Sequence, residues 1–217
     1  MPAAMPVVIM ISGRGSNLRA IIDAIDNKLL AVRIVAVISN NAKALGLEYA
    51  RLANIDIRCF NQGDYSDRES FDLAIQKGID HYAPELVILA GYMRILSVAF
   101  VHHFQGRLMN IHPSLLPEFP GLHTHQRAIE AGVTTHGASI HFVTEELDGG
   151  PVVLQTRVDV RKIDTAETLA ARVLVKEHSL YITAIRWYAE GRLVLKNDNA
   201  MLDGKKLDEP IQLDNPE

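Results

Sequence analysis

The stretch VVIMISGRGSNLRAII, Val7–Ile22, decides how the rest of the chain is read. Its first five residues, Val7–Ile11, are apolar and mostly β-branched, which fits a strand buried on both faces. The run breaks at the glycine turn around Gly13 and Gly15. From about Asn17 to Asp26 the residues Leu18, Ile21, Ile22 and Ile25 then recur at helical spacing. A strand, a glycine turn and a helix open a β-α-β unit, and they also open many phosphate-binding loops.

The loop is narrower than the general motif. It lacks the G-K-[ST] ending of a Walker A loop. It matches only the start of G-x-G-x-x-G, because Leu18 stands where the third glycine belongs. At the distance where a ribose-binding acid is expected, the chain reads VISNNAK, Val37–Lys43. A dinucleotide is therefore disfavoured. What remains is a helix start capped by Ser16 or Asn17, with backbone N–H groups and a dipole suited to a monophosphate. The alternative is a bare glycine turn with no ligand.

Outward from this unit, short β-branched runs alternate with amphipathic stretches, the pattern of an α/β chain wound around a mostly parallel sheet. Strands are expected at Val32–Ile38, Ile57–Phe60, Leu86–Leu89 and Leu108–His112, with helices at Leu45–Ala53, Asp67–Tyr82 and near Val98–Phe104. In the helix over 67–82, Phe71, Ile75 and Ile79 face inward. Residues 113–124, PSLLPEFPGLHT, carry too much proline for regular structure. A short helix follows at His125–Ala131, then strands at Thr135–Val143 and Val152–Val160, a long helix at Thr165–Glu190 and a last strand at Leu193–Leu195. From Asn197 onward the chain is polar and reads as irregular.

With 217 residues and 48% hydrophobic composition, the chain can bury a sizeable core. A net charge of -4 gives no support to non-specific nucleic-acid binding or to a polybasic membrane contact. The single cysteine, Cys59, excludes an internal disulfide and fits a reducing cytoplasm. It lies on an expected buried strand and reads as inert. MPAAMPVVIM has no basic start, so no signal peptide is expected.

The chemistry concentrates further along. Asn110 and His112 are two apart on an expected strand, so both side chains leave the same face. They stand at the strand's carboxyl end, where open α/β sheets place their sites. Asparagine offers a neutral donor to an oxyanion, and histidine moves protons near neutral pH. Such a pair is also an ordinary structural hydrogen bond in many folds. Asp148, in TEELDGGPV (144–152), precedes two glycines and a proline. A carboxylate beside His112 would favour the imidazolium; the plainer alternative is a solvated acidic turn. His123 and His125 have no acidic or cysteine partner at metal-like spacing, and no zinc or nucleophile-elbow motif is present.

Taken together, SGRGSNL, LAGYMRILS, NIHPSLLP, PGLHTH, HGASIHFVTEELDGGPVVLQ and KEHSLY resemble the phosphoribosylglycinamide formyltransferases, a folate-dependent family of purine synthesis. The likeness runs from about residue 7 to about 204. It implies a doubly wound, Rossmann-like fold in one domain over 1–204, with residues 205–217 as a C-terminal tail. Residues 7–112 would form the nucleotide half and 113–204 the folate and catalytic-loop half, with the folate between them. It implies transfer of a formyl group from 10-formyltetrahydrofolate to the amine of glycinamide ribonucleotide, without a metal or covalent intermediate. Asn110, His112 and Asp148 match the family's catalytic trio, and Gly15, Ser16 and Asn17 its phosphate loop. Met93, Arg94, Ile95 and Leu96, with Thr144, Glu145, Glu146, Leu147 and Asp148, match its folate pocket. Asn110 belongs to that pocket as well, Arg68 matches a further folate contact, and Glu177 matches the acid that takes the ribose hydroxyls. Where relatives often carry a glutamine this chain has Leu174, which cannot hydrogen-bond a phosphate; the neighbouring Lys176 points to a different helical face.

The implied enzyme is cytoplasmic, a monomer or homodimer, with no nucleic-acid or membrane partner. Formyltetrahydrofolate hydrolase has an added N-terminal regulatory domain and methionyl-tRNA formyltransferase an added C-terminal nucleic-acid-binding domain; this chain is expected to have neither. A non-catalytic nucleotide- or folate-binding module is the other alternative. It would have no reason to bring Asn110, His112 and Asp148 together.

Overall fold

The computed structural model describes residues 4–213, in two compact units divided between Met109 and Asn110. The first unit alternates strand and helix: β1 (Met5–Ile11), α1 (Ser16–Asp26), β2 (Val32–Ser39), α2 (Gly46–Leu52), β3 (Ile57–Cys59), α3 (Arg68–Asp80), β4 (Leu86–Leu89) and α4 (Val98–His103). Its strands run parallel in the order β4-β1-β2-β3. β1 has a neighbour on each side, with Val7 paired to Ile34 and to Leu86. That central place explains the unbroken apolar run: Val7, Val8, Ile9, Met10 and Ile11 are all fully buried. Leu18 and Ile21 of α1 and Phe71, Ile75 and Ile79 of α3 are buried in the same core. Each such side chain contributes about 1.5–3 kcal/mol.

β5 (Leu108–His112) crosses the division, and its last three residues open the second unit. There follow α5 (Thr124–Glu130), β6 (Thr135–Phe142), β7 (Val152–Asp159), α6 (Ala166–Ala189), β8 (Leu193–Lys196), β9 (Asn199–Leu202), β10 (Lys205–Lys206) and β11 (Ile211–Gln212). β6 and β7 pair antiparallel, with a register shift between Ile140 and His141. α6 is started by a capping box in which Thr165 and Thr168 each bond the other's backbone N–H. The whole is a mostly parallel sheet flanked by helices, as the alternating pattern predicts. No helix among the described residues is long and apolar enough to cross a membrane.

Element boundaries fall within a residue or two of those read from the sequence, and the differences are local. The α1 N-cap is Gly15, in the left-handed region at φ 71°, and neither Ser16 nor Asn17 caps the helix. Cys59 is exposed, because β3 is the edge strand and turns that residue outward. Partial burial still pushes its thiol pKa up. The polar stretch after Asn197 is ordered: β8, β9 and β10 form an antiparallel sheet, and β11 adds to β7 through Ile211–Leu154. Its short strands were hidden by turns at Asn197, Asp198 and Asp203, all with positive φ. Of the expected tail, residues 214–217 lie outside the described residues.

Candidate active site

In the first unit, the loop between β1 and α1 is shaped by backbone alone. The Cα of Gly46 would lie only 2.5 Å from a Cβ on Gly15, and Gly46 N–H bonds the carbonyl of Gly13 at 3.0 Å. α2 can approach this closely only because both positions lack a side chain. No side chain caps α1 and no acid stands in its first turn. Its first N–H groups have no acceptor within the helix, and with the helix dipole they suit an anion. Gly15 and Asn17 are buried here, with Ser16 half-buried.

Ser12 joins this loop to the segment after β4. Its hydroxyl donates to Asn40 Oδ1 at 2.7 Å and accepts from Met93 N–H at 2.8 Å. The segment is held at its other end by Asp72, whose carboxylate accepts from Ser97 N–H at 2.6 Å. Between these ties, Met93 and Ile95 expose apolar side chains to 69% and 59%, with Leu96 half-buried. Arg94 lies over the Phe71 ring, 4.8 Å from its centroid, and bonds Gln62. Arg68, in the first turn of α3, is a surface residue 3.4 Å from Glu69.

In the second unit, Asn110, His112 and Asp148 come together. His112 Nδ1 lies 3.3 Å from Asp148 Oδ2, with both side chains more than nine-tenths buried. Its Nε2 donates to the Phe119 carbonyl at 2.9 Å. Both ring nitrogens thus face acceptors, and the doubly protonated ring turns both contacts into hydrogen bonds. Asp148 Oδ2 also accepts from Gly121 N–H at 2.8 Å. The solvated-turn alternative for Asp148 falls here.

The backbone around Asp148 is specified by its glycines. Asp148 has φ 54°, a region that aspartate tolerates better than most residues. A Cβ on Gly150 would stand 1.9 Å from the Phe142 carbonyl oxygen, so only glycine passes there. Thr144 is half-buried, and Glu145, Glu146 and Leu147 are exposed along the same loop. Glu177 is 8% exposed on α6, with Leu174 half-buried one turn earlier.

The proline-rich loop is pinned by a buried polar knot. Ser139 on β6 donates to the Ser114 carbonyl at 2.7 Å and accepts from Leu116 N–H at 3.0 Å and Gln155 Nε2 at 2.9 Å. Gln155 also donates to the Leu116 carbonyl at 2.9 Å. Thr124 Oγ1 bonds the Pro113 carbonyl at 2.8 Å. These bonds set the positions from which Phe119 and Gly121 reach His112 and Asp148.

Sequence reading missed Ser139, Gln155 and a second histidine at the site. His141 follows the register shift in β6, and such irregularities re-aim side chains. Its Nε2 is 3.2 Å from Asn110 Nδ2 and 3.8 Å from Asp148 Oδ1. Burial lowers its pKa to about 4. The available signal was the alternation in HGASIHF, which puts His141 on the face of Gly137 and Ser139. His136, also buried, has its pKa lowered to about 4 by burial and by His125, whose Nδ1 is 3.2 Å away.

Comparison with known proteins converges on one family. The formyl transferase family model matches residues 5–185. The chain is 51% identical over 203 residues to phosphoribosylglycinamide formyltransferase of Escherichia coli, covering 94% of this chain and 96% of that one. The enzyme of the same name from Haemophilus influenzae is 45% identical, covering 93% and 95%. The solved structure of phosphoribosylglycinamide formyltransferase from Coxiella burnetii superposes with a TM-score of 0.91 at 48% identity, covering 96% of this chain and 99% of that one.

Proposed function

The chain belongs to the formyl transferase family, and from that premise we infer that it moves a formyl group from 10-formyltetrahydrofolate to the amine of glycinamide ribonucleotide, a step of purine synthesis. The observation that carries the inference is the assembly of the buried His112 and Asp148 with the half-buried Asn110, the groups that formyl transfer needs.

The acceptor amine attacks the formyl carbon and gives a tetrahedral oxyanion. The donors to that oxygen are the Asn110 carboxamide and the His112 N–H, which leaves the Phe119 carbonyl to reach it. Asp148 holds the ring and balances its charge. The carbon–nitrogen bond to the folate then breaks, and the proton lost by the amine ends on the folate nitrogen, with His112 as the carrier. Anchoring both substrates away from the reacting atoms supplies much of the rate by bringing amine and formyl carbon into contact.

In this assignment Gly15, Ser16 and Asn17 hold the nucleotide phosphate, and Glu177 takes the ribose hydroxyls. Met93, Arg94, Ile95, Leu96 and the loop from Thr144 to Asp148 take the folate, with Arg68 at its outer end. The enzyme works in the cytoplasm on these two small molecules, within a single domain over 1–204.

The test is an assay with 10-formyltetrahydrofolate, following folate absorbance with and without glycinamide ribonucleotide. Folate release that requires the amine is the expected result. Equal release without it identifies a hydrolase, and no release identifies a binding module.

A further inference from the structure

Asn110 can donate to an oxyanion only if its carboxamide is turned the right way, and the two ends of an amide have nearly the same shape. Something beside it must choose between them. The His141 ring is 2% exposed and touches Asn110 on one side and the backbone on the other. Its Nδ1 is 3.0 Å from the Phe142 carbonyl oxygen, which can only accept, so Nδ1 carries the hydrogen. Burial keeps the ring neutral, which leaves a lone pair on Nε2. The Asn110 atom facing that lone pair at 3.2 Å therefore has to be the donor, Nδ2. With the amide reversed, Oδ1 would face a second lone pair across a contact buried on the His141 side. The opposite tautomer fares worse: Nδ1 would present its lone pair to the Phe142 carbonyl, and Nε2–H would meet the Asn110 amide hydrogens. Asp148 Oδ1, 3.8 Å from Nε2, is too far to accept a hydrogen bond that would reward that tautomer.

We propose that His141 is a positioning residue: it accepts one Nδ2 hydrogen of Asn110 and so fixes the carboxamide with its other hydrogen available to the reacting oxygen. The role rests on the assignment of Asn110 as an oxyanion donor made above. It uses His141 as a neutral acceptor and asks of it no proton transfer.

The test combines variants with a direct reading of the ring. His141→Leu removes the acceptor and should lower kcat about 10- to 100-fold, with KM for each substrate within about twofold. His141→Gln presents an amide oxygen at similar reach and should recover most of the loss. In an Asn110→Ala background, His141→Leu should cost little more, because the group it orients is gone. Losses that multiply, a His141→Gln as slow as His141→Leu, or a His141→Leu with unchanged kcat each overturn the proposal. Should His141→Leu fail to fold, nitrogen NMR of the unaltered protein near neutral pH decides: an Nδ1–H ring for His141 supports the role, and an Nε2–H ring refutes it. Failure of the parent assignment looks different, because Asn110→Ala would then retain full kcat.

Discussion

Asp148 and His112 meet through a single carboxylate oxygen: Oδ2 lies 3.3 Å from Nδ1 of His112 while accepting the N–H of Gly121 at 2.8 Å. One atom therefore ties the turn at Asp148 to the end of β5 and to the proline-rich loop. The arrangement makes the charge of Asp148 and the position of its oxygen separable by mutation. Asp148→Asn keeps an oxygen for Gly121 and suits the left-handed backbone at φ 54°. It removes the charge opposite His112. We expect kcat to fall by about 10²-fold or more with little change in melting temperature. A matching collapse of both would show that Asp148 serves the fold first.

His112→Ala should lower kcat by about 10²–10⁴-fold. Binding of glycinamide ribonucleotide, measured by calorimetry, should stay nearly intact. Near-normal turnover would exclude His112 as the group that meets the oxyanion.

Gly15→Val places a side chain where the Gly46 Cα would be 2.5 Å from its Cβ, in a backbone region that β-branched residues avoid. The loop must shift, so KM for the nucleotide should rise far more than KM for the folate. Equal rises in steady-state kinetics would place the phosphate elsewhere.

Ser139→Ala takes the acceptor from Leu116 N–H and the donor from the Ser114 carbonyl, leaving buried groups without partners. Unfolding free energy should drop by about 1–3 kcal/mol. Hydrogen exchange should quicken in residues 114–121 specifically. Unchanged exchange there would mean that the loop is held by its prolines alone.

His136 and His141 both titrate near 4 in the folded chain because burial disfavours their charged forms, against about 6.5 when unfolded. Between those values the unfolded chain binds more protons, so stability rises with pH. The contribution is complete above about pH 6.5 and is lost on acidification toward about pH 4. Each histidine adds a slope of up to about 1.4 kcal/mol per pH unit. Urea midpoints at about pH 7 and about pH 5 measure this, and equal midpoints would show both rings to be solvated.

Most of the architecture was legible because the first unit obeys a simple rule: strands buried on both faces read as continuous apolar runs, and helices show their inward stripe. Val7–Ile11 and Leu86–Leu89 are examples, and both are buried throughout. The rule fails at edges. β3 is too short to show a pattern, and its edge position exposes Cys59. The pairing of β11 with β7 involves only Ile211 and Gln212, too few residues to carry periodicity. Asn110, His112 and Asp148 were legible as residue types at a strand end and in a glycine turn, but their distances were not. Those depend on the left-handed φ of Asp148 and on the knot around Ser139, which arises from strand pairing. His141 stayed hidden because its aim follows a register shift that no local pattern announces.

The contact between Gly15 and Gly46 also has a genetic meaning. A missense change at either codon cannot be suppressed at the other, since the partner has already surrendered every side-chain atom it had. Suppressors would have to displace the whole of α2, whose residues Leu47 and Ala50 are fully buried. A change at either glycine is therefore answered by reversion or by a shift of its surroundings, never by its partner.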